Sequence, residues 1–186
     1  MKEIKTASYI KYAKEKCKGW TAVRLDSSMS KKIQEWGKEN IPSEELADDG
    51  REDDIHITVL YGICTHNEEI VKTLLKTEKP IKATLGKIGC FINNDGFDVV
   101  IIKIDSPDLE ELHRKIKESL NVELTHDSYK PHCTIAYVKK GEAKKYAGQD
   151  VFCGKKITFN KIIFKDTLSV NDDSNKKETI INLKSD

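Results

Sequence analysis

Two short segments carry residue types that can move protons. His56-Ile57-Thr58 and His132-Cys133-Thr134 repeat one pattern, histidine, one apolar residue, threonine, within a chain of 186 residues. Near neutral pH an imidazole can accept or donate a proton, so two of them facing one phosphorus atom can act together as base and acid. One deprotonates the attacking oxygen while the other protonates the leaving oxygen. A threonine hydroxyl beside each ring can hydrogen-bond the non-bridging phosphoryl oxygens, whose charge must be stabilised through the transition state. A single His-x-Thr in a strand reads as a half-buried polar group; its recurrence in matching contexts points to chemistry. That chemistry calls for no metal and no cofactor.

Both triplets sit in runs that read as strands, Ile55 to Tyr61 ended by Gly62, and Pro131 to Val138. Side chains alternate across a strand. His56 and Thr58 are therefore expected on one face, with Ile57, Val59 and Tyr61 on the other. Likewise His132 and Thr134 are expected opposite Cys133, Ile135 and Tyr137.

Around these lie the elements that must hold them. Trp20-Thr21-Ala22-Val23-Arg24-Leu25 reads as a strand, and Asp26, Ser27 or Ser28 caps a helix to about Lys38. Residues 40–54, with Pro42, Gly50 and a run of acidic side chains, read as a solvated loop. Asn67 caps a helix to about Thr77. Ile81 to Ile92 and Phe97 to Ile104 form two strands joined by Asn93-Asn94-Asp95-Gly96, whose Asp-Gly step is a hairpin signal. Ser106-Pro107 opens a helix with Leu109, Leu112, Ile116 and Leu120 on one face. A polar loop, residues 121–130, leads into the second triplet. A short helical piece follows near Glu142–Tyr146. Ile157 to Phe164 and Glu178 to Leu183 read as the last strands, parted by the bend Asn171-Asp172-Asp173-Ser174-Asn175. The order implies an α+β fold with two similar halves. Residues 1–18 form an N-terminal helical extension, and residues 19–186 a single domain.

Composition removes several functions. The 32 basic and 31 acidic side chains leave a net charge of +1. That is no footing for coating duplex DNA by counterion release, so a phosphate-bearing ligand must be held by a few placed groups. Cys17, Cys64, Cys90, Cys133 and Cys153 form no Cys-x-x-Cys pair, which excludes a zinc ribbon or thioredoxin-type site. No apolar leader follows Met1, and no apolar run is long enough to span a membrane. The reading is a cytoplasmic chain with reduced cysteines.

These residues resemble the 2H phosphoesterases, also called LigT-like or cyclic phosphodiesterase-like proteins. The likeness rests on His56-Ile57-Thr58-Val59 and His132-Cys133-Thr134-Ile135, on Trp20 to Leu25 as a first strand, and on the helix after Ser106-Pro107. It covers roughly residues 19–184. It implies a bilobal fold of two pseudo-symmetric antiparallel β-sheet lobes with flanking helices and a central cleft, one motif strand from each lobe. It also implies action on 2′,3′-cyclic phosphates, 2′–5′ linkages, or cyclic and linear oligonucleotides. Carried over, His56 and His132 are the acid/base pair, and Thr58 and Thr134 bind phosphate. The acidic lead-in Asp49-Gly50-Arg51-Glu52-Asp53-Asp54 is similar to a phage-associated branch. That branch includes anti-CBASS enzymes, which degrade cyclic nucleotide signals of bacterial immunity; the location implied is then the host cytoplasm. Two alternatives stand beside it: an RNA-end processing enzyme of the 2′,3′-cyclic phosphodiesterase or 2′–5′ RNA ligase-like kind, and a non-catalytic nucleotide sponge.

Further candidates carry two readings each. Trp20 either stacks on a base or packs in the core. Tyr9 and Tyr12 either cover a nucleobase or anchor a terminal helix. Tyr129 and Lys130 either touch base and phosphate or lie exposed in a loop. His66 and His113 read as solvent-side, and His126 as a loop residue. Cys133 reads as core-facing and unreactive.

Overall fold

The computed structural model describes residues 17–65, 67–92, 96–124, 128–166 and 178–184. Tyr9, Tyr12 and the rest of the expected N-terminal extension up to residue 16 lie outside the described residues. So do His66, His126, residues 93–95 of the hairpin and the bend at 171–175.

Nine strands and three helices alternate: β1 (Gly19–Arg24), α1 (Ser27–Asn40), β2 (Leu46–Arg51), β3 (His56–Ile63), α2 (Glu68–Leu75), β4 (Ile81–Ile92), β5 (Phe97–Asp105), α3 (Pro107–Ser119), β6 (His132–Lys139), β7 (Lys156–Phe159), β8 (Lys161–Lys165) and β9 (Glu178–Asn182), counted among the described residues. The helices begin where the sequence supplies an oxygen for an orphan backbone amide. Asp26 accepts from the Met29 amide, Asn67 from Glu69 and Ser106 from Leu109.

The strands form two antiparallel sheets, ordered β3-β1-β8-β9 and β2-β6-β5-β4-β7. Each sheet thus holds one His-x-Thr strand. A single hydrophobic cluster takes Val23, Ile57, Ile162 and Phe164 from the first sheet and Leu85, Val100, Ile102 and Ile135 from the second. Ile33 and Trp36 of α1, Leu75 of α2 and Leu109, Leu112 and Ile116 of α3 complete it. The helices cross over. α1 follows β1 but packs on β6, and α3 follows β5 and packs on β3 of the other sheet as well as on β4 of its own. At Gly37 a Cβ would lie 3.0 Å from Ile135 Cγ2, so the absent side chain lets α1 sit directly on the second motif strand.

Three expectations are corrected. The acidic stretch 40–54 is not all loop, because residues 46–51 pair with β6 as the edge strand β2. Arg51 anchors it by donating to the Gly37 and Ile41 carbonyls at the end of α1, at 3.2 and 2.5 Å. Charged side chains on an edge strand also discourage pairing with other chains. Second, Ile157 to Phe164 is not one strand. It breaks at Asn160, β7 pairing with β4 in one sheet and β8 with β1 in the other. Third, the cysteines are not all reduced: Cys17 and Cys64 form a disulfide, 47 residues apart in sequence. The antiparallel pairing Gly19↔Ile63 brings their neighbourhoods together, a proximity the linear spacing does not display.

Candidate active site

His56 and His132 each open a motif strand and are each half-buried. In both, ring Nδ1 lies on the backbone carbonyl two residues upstream: Asp54 O at 2.5 Å from His56 and Lys130 O at 2.7 Å from His132. A carbonyl only accepts, so Nδ1 must carry the proton, and Nε2 is the nitrogen with which each ring can take or deliver another. The two lobes have thus built one tautomer twice. The strands themselves, β3 and β6, pack against each other where the two sheets meet. The apolar residues between, Ile57 and Cys133, are fully buried. Burial pushes the Cys133 thiol well above its ordinary range, with the nearby Glu52 carboxylate adding to this.

Each imidazole meets an aromatic ring. Trp20 lies with its ring centroid 5.3 Å from that of His56, and Phe91 stands edge-on to His132 at 4.8 Å. The Trp20 ring in turn carries the Lys165 ammonium at 5.2 Å. Trp20 therefore lies beside His56 rather than in the hydrophobic core.

A charged network flanks His56. Arg24, opposite His56 in the β1–β3 register, holds Asp54 bidentately at 2.7 Å and 2.7 Å, and Glu178 at 2.6 and 2.8 Å. Lys165 reaches Glu178 at 3.3 Å. Burial raises the Asp54 carboxyl, but the Arg24 hydrogen bonds and charge, with smaller help from His56 and Lys165, outweigh it and leave it below the usual range. Hydrogen bonding to Arg24 likewise depresses Glu178. Because Asp54 also supplies the carbonyl that His56 grips, the network holds the ring's tautomer as well as its own charges.

A second set of contacts joins the two motifs. Tyr129, three residues ahead of His132, donates its hydroxyl to the Thr58 carbonyl at 3.0 Å. Its ring stacks on His113 of α3 with centroids 4.2 Å apart and planes 5° from parallel. His113 Nδ1 lies 2.7 Å from the Val59 carbonyl, so it too donates to the first motif strand. The solvent-side reading of His113 is thereby corrected: the charges flanking it on the helix suggest exposure, but its ring is taken up by a stack and a backbone bond. The phenol of Tyr129 is raised far above its ordinary pKa, chiefly by burial and then by Glu110, and stays a donor. The Lys130 side chain is exposed.

The faces of the motif strands also need correction beyond the threonines. Strict alternation sends Tyr61 and Tyr137 to the core side, but a one-residue bulge interrupts each strand after its threonine and returns both tyrosines to the histidine face.

A family model described as Anti-CBASS protein Acb1 matches residues 19–176. The chain belongs to the Acb1 family. The Acb1 protein of Vibrio phage KVP40 is 31% identical over 87 residues, which take in 46% of this chain and 52% of the relative; the match thus spans about half of that protein. Among solved structures, this Acb1-family chain is similar in fold to TT0787 of Thermus thermophilus, with a TM-score of 0.60 and 18% identity over 89% of this chain and 95% of that one. Escherichia coli LigT, solved in complex with 3′-AMP, superposes with a TM-score of 0.61 and 16% identity, again over 89% and 95%. The LigT-like α+β architecture expected from the motif pair is therefore present. Among the described residues of this Acb1-family chain, no helix is long and apolar enough to cross a membrane.

Sequence reading missed Arg24, Asp54, Glu178 and His113. A signal existed for Arg24, which alternates onto the face of Trp20 in the first strand. For Glu178, distant in sequence and in another strand, there was none.

Proposed function

We propose that the chain is a phosphodiesterase of cyclic or short RNA-like nucleotides, degrading the cyclic nucleotide signals that its family name implies. His56 and His132 exchange roles as general base and acid, and Thr58 and Thr134 hydrogen-bond the phosphoryl oxygens. The observation that carries this reading is the duplicated tautomer: two imidazoles on strands that pack together, each with Nδ1 on a backbone carbonyl, which makes Nε2 the atom for proton transfer.

On a 3′–5′ linkage with a neighbouring ribose hydroxyl, one Nε2 takes the 2′-hydroxyl proton as the O2′–P bond forms. The P–O5′ bond breaks, and the other Nε2 gives its proton to O5′. The products are a 2′,3′-cyclic phosphate and a 5′-hydroxyl. On a substrate that is already a 2′,3′-cyclic phosphate, water takes the place of the 2′-hydroxyl. Both proton transfers are met by imidazole, so turnover is expected to survive EDTA.

The test is incubation with cyclic GMP–AMP, cyclic di-AMP, 2′–5′ oligoadenylate and 2′,3′-cyclic AMP in EDTA, with products identified by mass. Cleavage of a cyclic dinucleotide supports the reading. Cleavage of 2′,3′-cyclic AMP alone would move the chain to RNA-end processing. Tight binding with no product from any substrate would leave a sponge.

A further inference from the structure

Each motif histidine faces a cation across the strand that pairs with it. In the β1–β3 register Arg24 lies directly opposite His56, and in the β5–β6 register Lys103 lies directly opposite His132. Directly opposed residues of an antiparallel pair share a face. Each half of the molecule therefore sets a positive side chain on the face of its imidazole. The two cations differ in how they are engaged. Arg24 is held by Asp54 and Glu178. Lys103 enters no salt bridge and no side-chain hydrogen bond among the described residues. It is exposed, while Ile102 and Ile104 on either side of it are buried.

The fold makes room for the Lys103 stem. Leu85 faces Ile104 and Ile88 faces Ile102, so Gly86 and Lys87 together oppose Lys103 in a bulge of β4. Bulges re-aim side chains and are frequent beside active sites. A Cβ at Gly86 would lie 3.0 Å from the Lys103 carbonyl oxygen and 3.3 Å from its Cβ. One at Gly89 would lie 2.8 Å from its Cε, 3.2 Å from Cγ and 3.5 Å from Cδ. The lysine stem thus runs along β4 and over Gly89, in space that a side chain there would take.

That path leads toward the second motif. Gly89 faces Ile101, and Ile101 faces Thr134, so the stem carries the ammonium from the row of His132 toward the row of Thr134. Phe91, two residues along β4 from Gly89, meets the His132 ring at 4.8 Å. Side chains from β4 and β6 therefore converge over β5, the strand that bears Lys103. Two strand spacings, about 10 Å, part the Gly89 and Thr134 backbones. Two hydrogen bonds of about 2.8 Å, with a phosphoryl group between them, fit that interval.

We propose that Lys103 is a phosphate-binding residue of this site, its ammonium holding a non-bridging oxygen of the scissile phosphoryl group across from Thr134. This inference rests on the phosphodiesterase reading and deepens it. A diester phosphate carries one negative charge, and attack by oxygen builds more on its non-bridging oxygens. A fixed cation is then bound more tightly at the transition state than in the ground state. Threonine hydroxyls bring no positive charge, and that of Arg24 is balanced by two carboxylates. With a net charge of +1 the chain has no general positive field to take their place.

The experiment compares wild type with K103M, which keeps an apolar stem over Gly89 and drops the charge, and with K103R, which keeps the charge. Dissociation constants for inorganic phosphate are measured by ³¹P NMR titration. Values of kcat and KM are measured on 2′,3′-cyclic AMP and cyclic di-AMP at low and high salt. K103M is expected to weaken phosphate binding, and to lower kcat/KM on each cleaved substrate, by at least about tenfold. In K103M kcat falls as well as KM rising, and the decline of kcat/KM with salt flattens. K103R is expected to recover most of both losses. Unchanged phosphate affinity and kcat/KM in K103M would overturn the proposal. Equal losses in K103M and K103R would overturn it too, because they mark a structural role for the native stem. Should wild type cleave neither diester, the phosphodiesterase reading fails on its own. The phosphate affinities then decide Lys103: weakening in K103M sustains the contact, and equality with wild type ends it.

Discussion

A histidine at the head of a strand is useful for catalysis only when its tautomer and its tilt are both held. Here the holding group is the carbonyl of the residue two places earlier, Asp54 for one ring and Lys130 for the other. This arrangement costs no side chain, which is why the preceding residues can differ so much between the two motifs. General acid–base catalysis by a placed imidazole is worth about 10²- to 10⁴-fold. His56→Ala and His132→Ala are each expected to lower kcat by that range, with the circular dichroism spectrum unchanged. A hydrogen bond to a charged oxygen contributes about 1.5–3 kcal/mol, so Thr58→Ala and Thr134→Ala are expected to reduce kcat/KM by about 10- to 150-fold. Steady-state kinetics on one dinucleotide measures all four. Full activity in either histidine variant is incompatible with the mechanism.

At the scale of elements, two clamps position the motif strands. The first is Arg24 between Asp54 and Glu178. Both carboxylates have folded-state pKa values below their ordinary ones. Their contribution is therefore fully present above the unfolded value, near pH 4, and is lost as the pH falls through the depressed folded value. Thermal unfolding between neutral pH and pH 3 is expected to show Tm falling in the acid limb. In a D54N/E178Q double variant that limb flattens, whereas an unchanged limb would mean the clamp is not coupled to folding. The second clamp is Tyr129, from the loop ahead of β6 to the Thr58 carbonyl. Tyr129→Phe is expected to cost about 1 kcal/mol in urea unfolding and to lower kcat more than it raises KM, because it loosens the approach to His132 rather than a substrate contact.

Much at this scale was legible in the chain. The three caps, the Pro107 helix start and the inward faces of Ile57 and Cys133 follow from side-chain chemistry and alternation, and the structure keeps them. What failed did so for identifiable reasons. A bulge adds a residue without any compositional mark, so period-two counting put Tyr61 and Tyr137 on the wrong face. In the run Ile157 to Phe164 only the polar step Asn160-Lys161 marks the break, and it does not say that one half belongs to each sheet. The acidic stretch became β2 because Arg51 reaches the end of α1, a tertiary contact that outweighs the polarity of its neighbours.

Across the whole molecule, two sheets share one core while each contributes a His-x-Thr strand. The helices tie the lobes: α1 leaves the first sheet to support β6, and α3 bridges β4 of the second sheet and β3 of the first. Residues 17 and 64 are further tied by the disulfide. For a separation of 47 residues the chain-entropy model gives about 4 kcal/mol. A reductant is therefore expected to lower the Tm of the wild-type protein by several degrees and to leave a C17S/C64S variant unmoved. Equal Tm values with and without reductant would show that the bridge does not constrain the fold in solution.

Histidine nitrogen NMR tests directly whether both imidazoles address one phosphorus atom. Ring-¹⁵N-labelled protein would be titrated with a slowly cleaved phosphorothioate analogue of a cyclic dinucleotide. The Nε2 resonances of His56 and His132 are expected to shift together and saturate at one ligand per chain, while both Nδ1 remain protonated. A shift confined to one ring, or two shifts that saturate at different ligand concentrations, would contradict it.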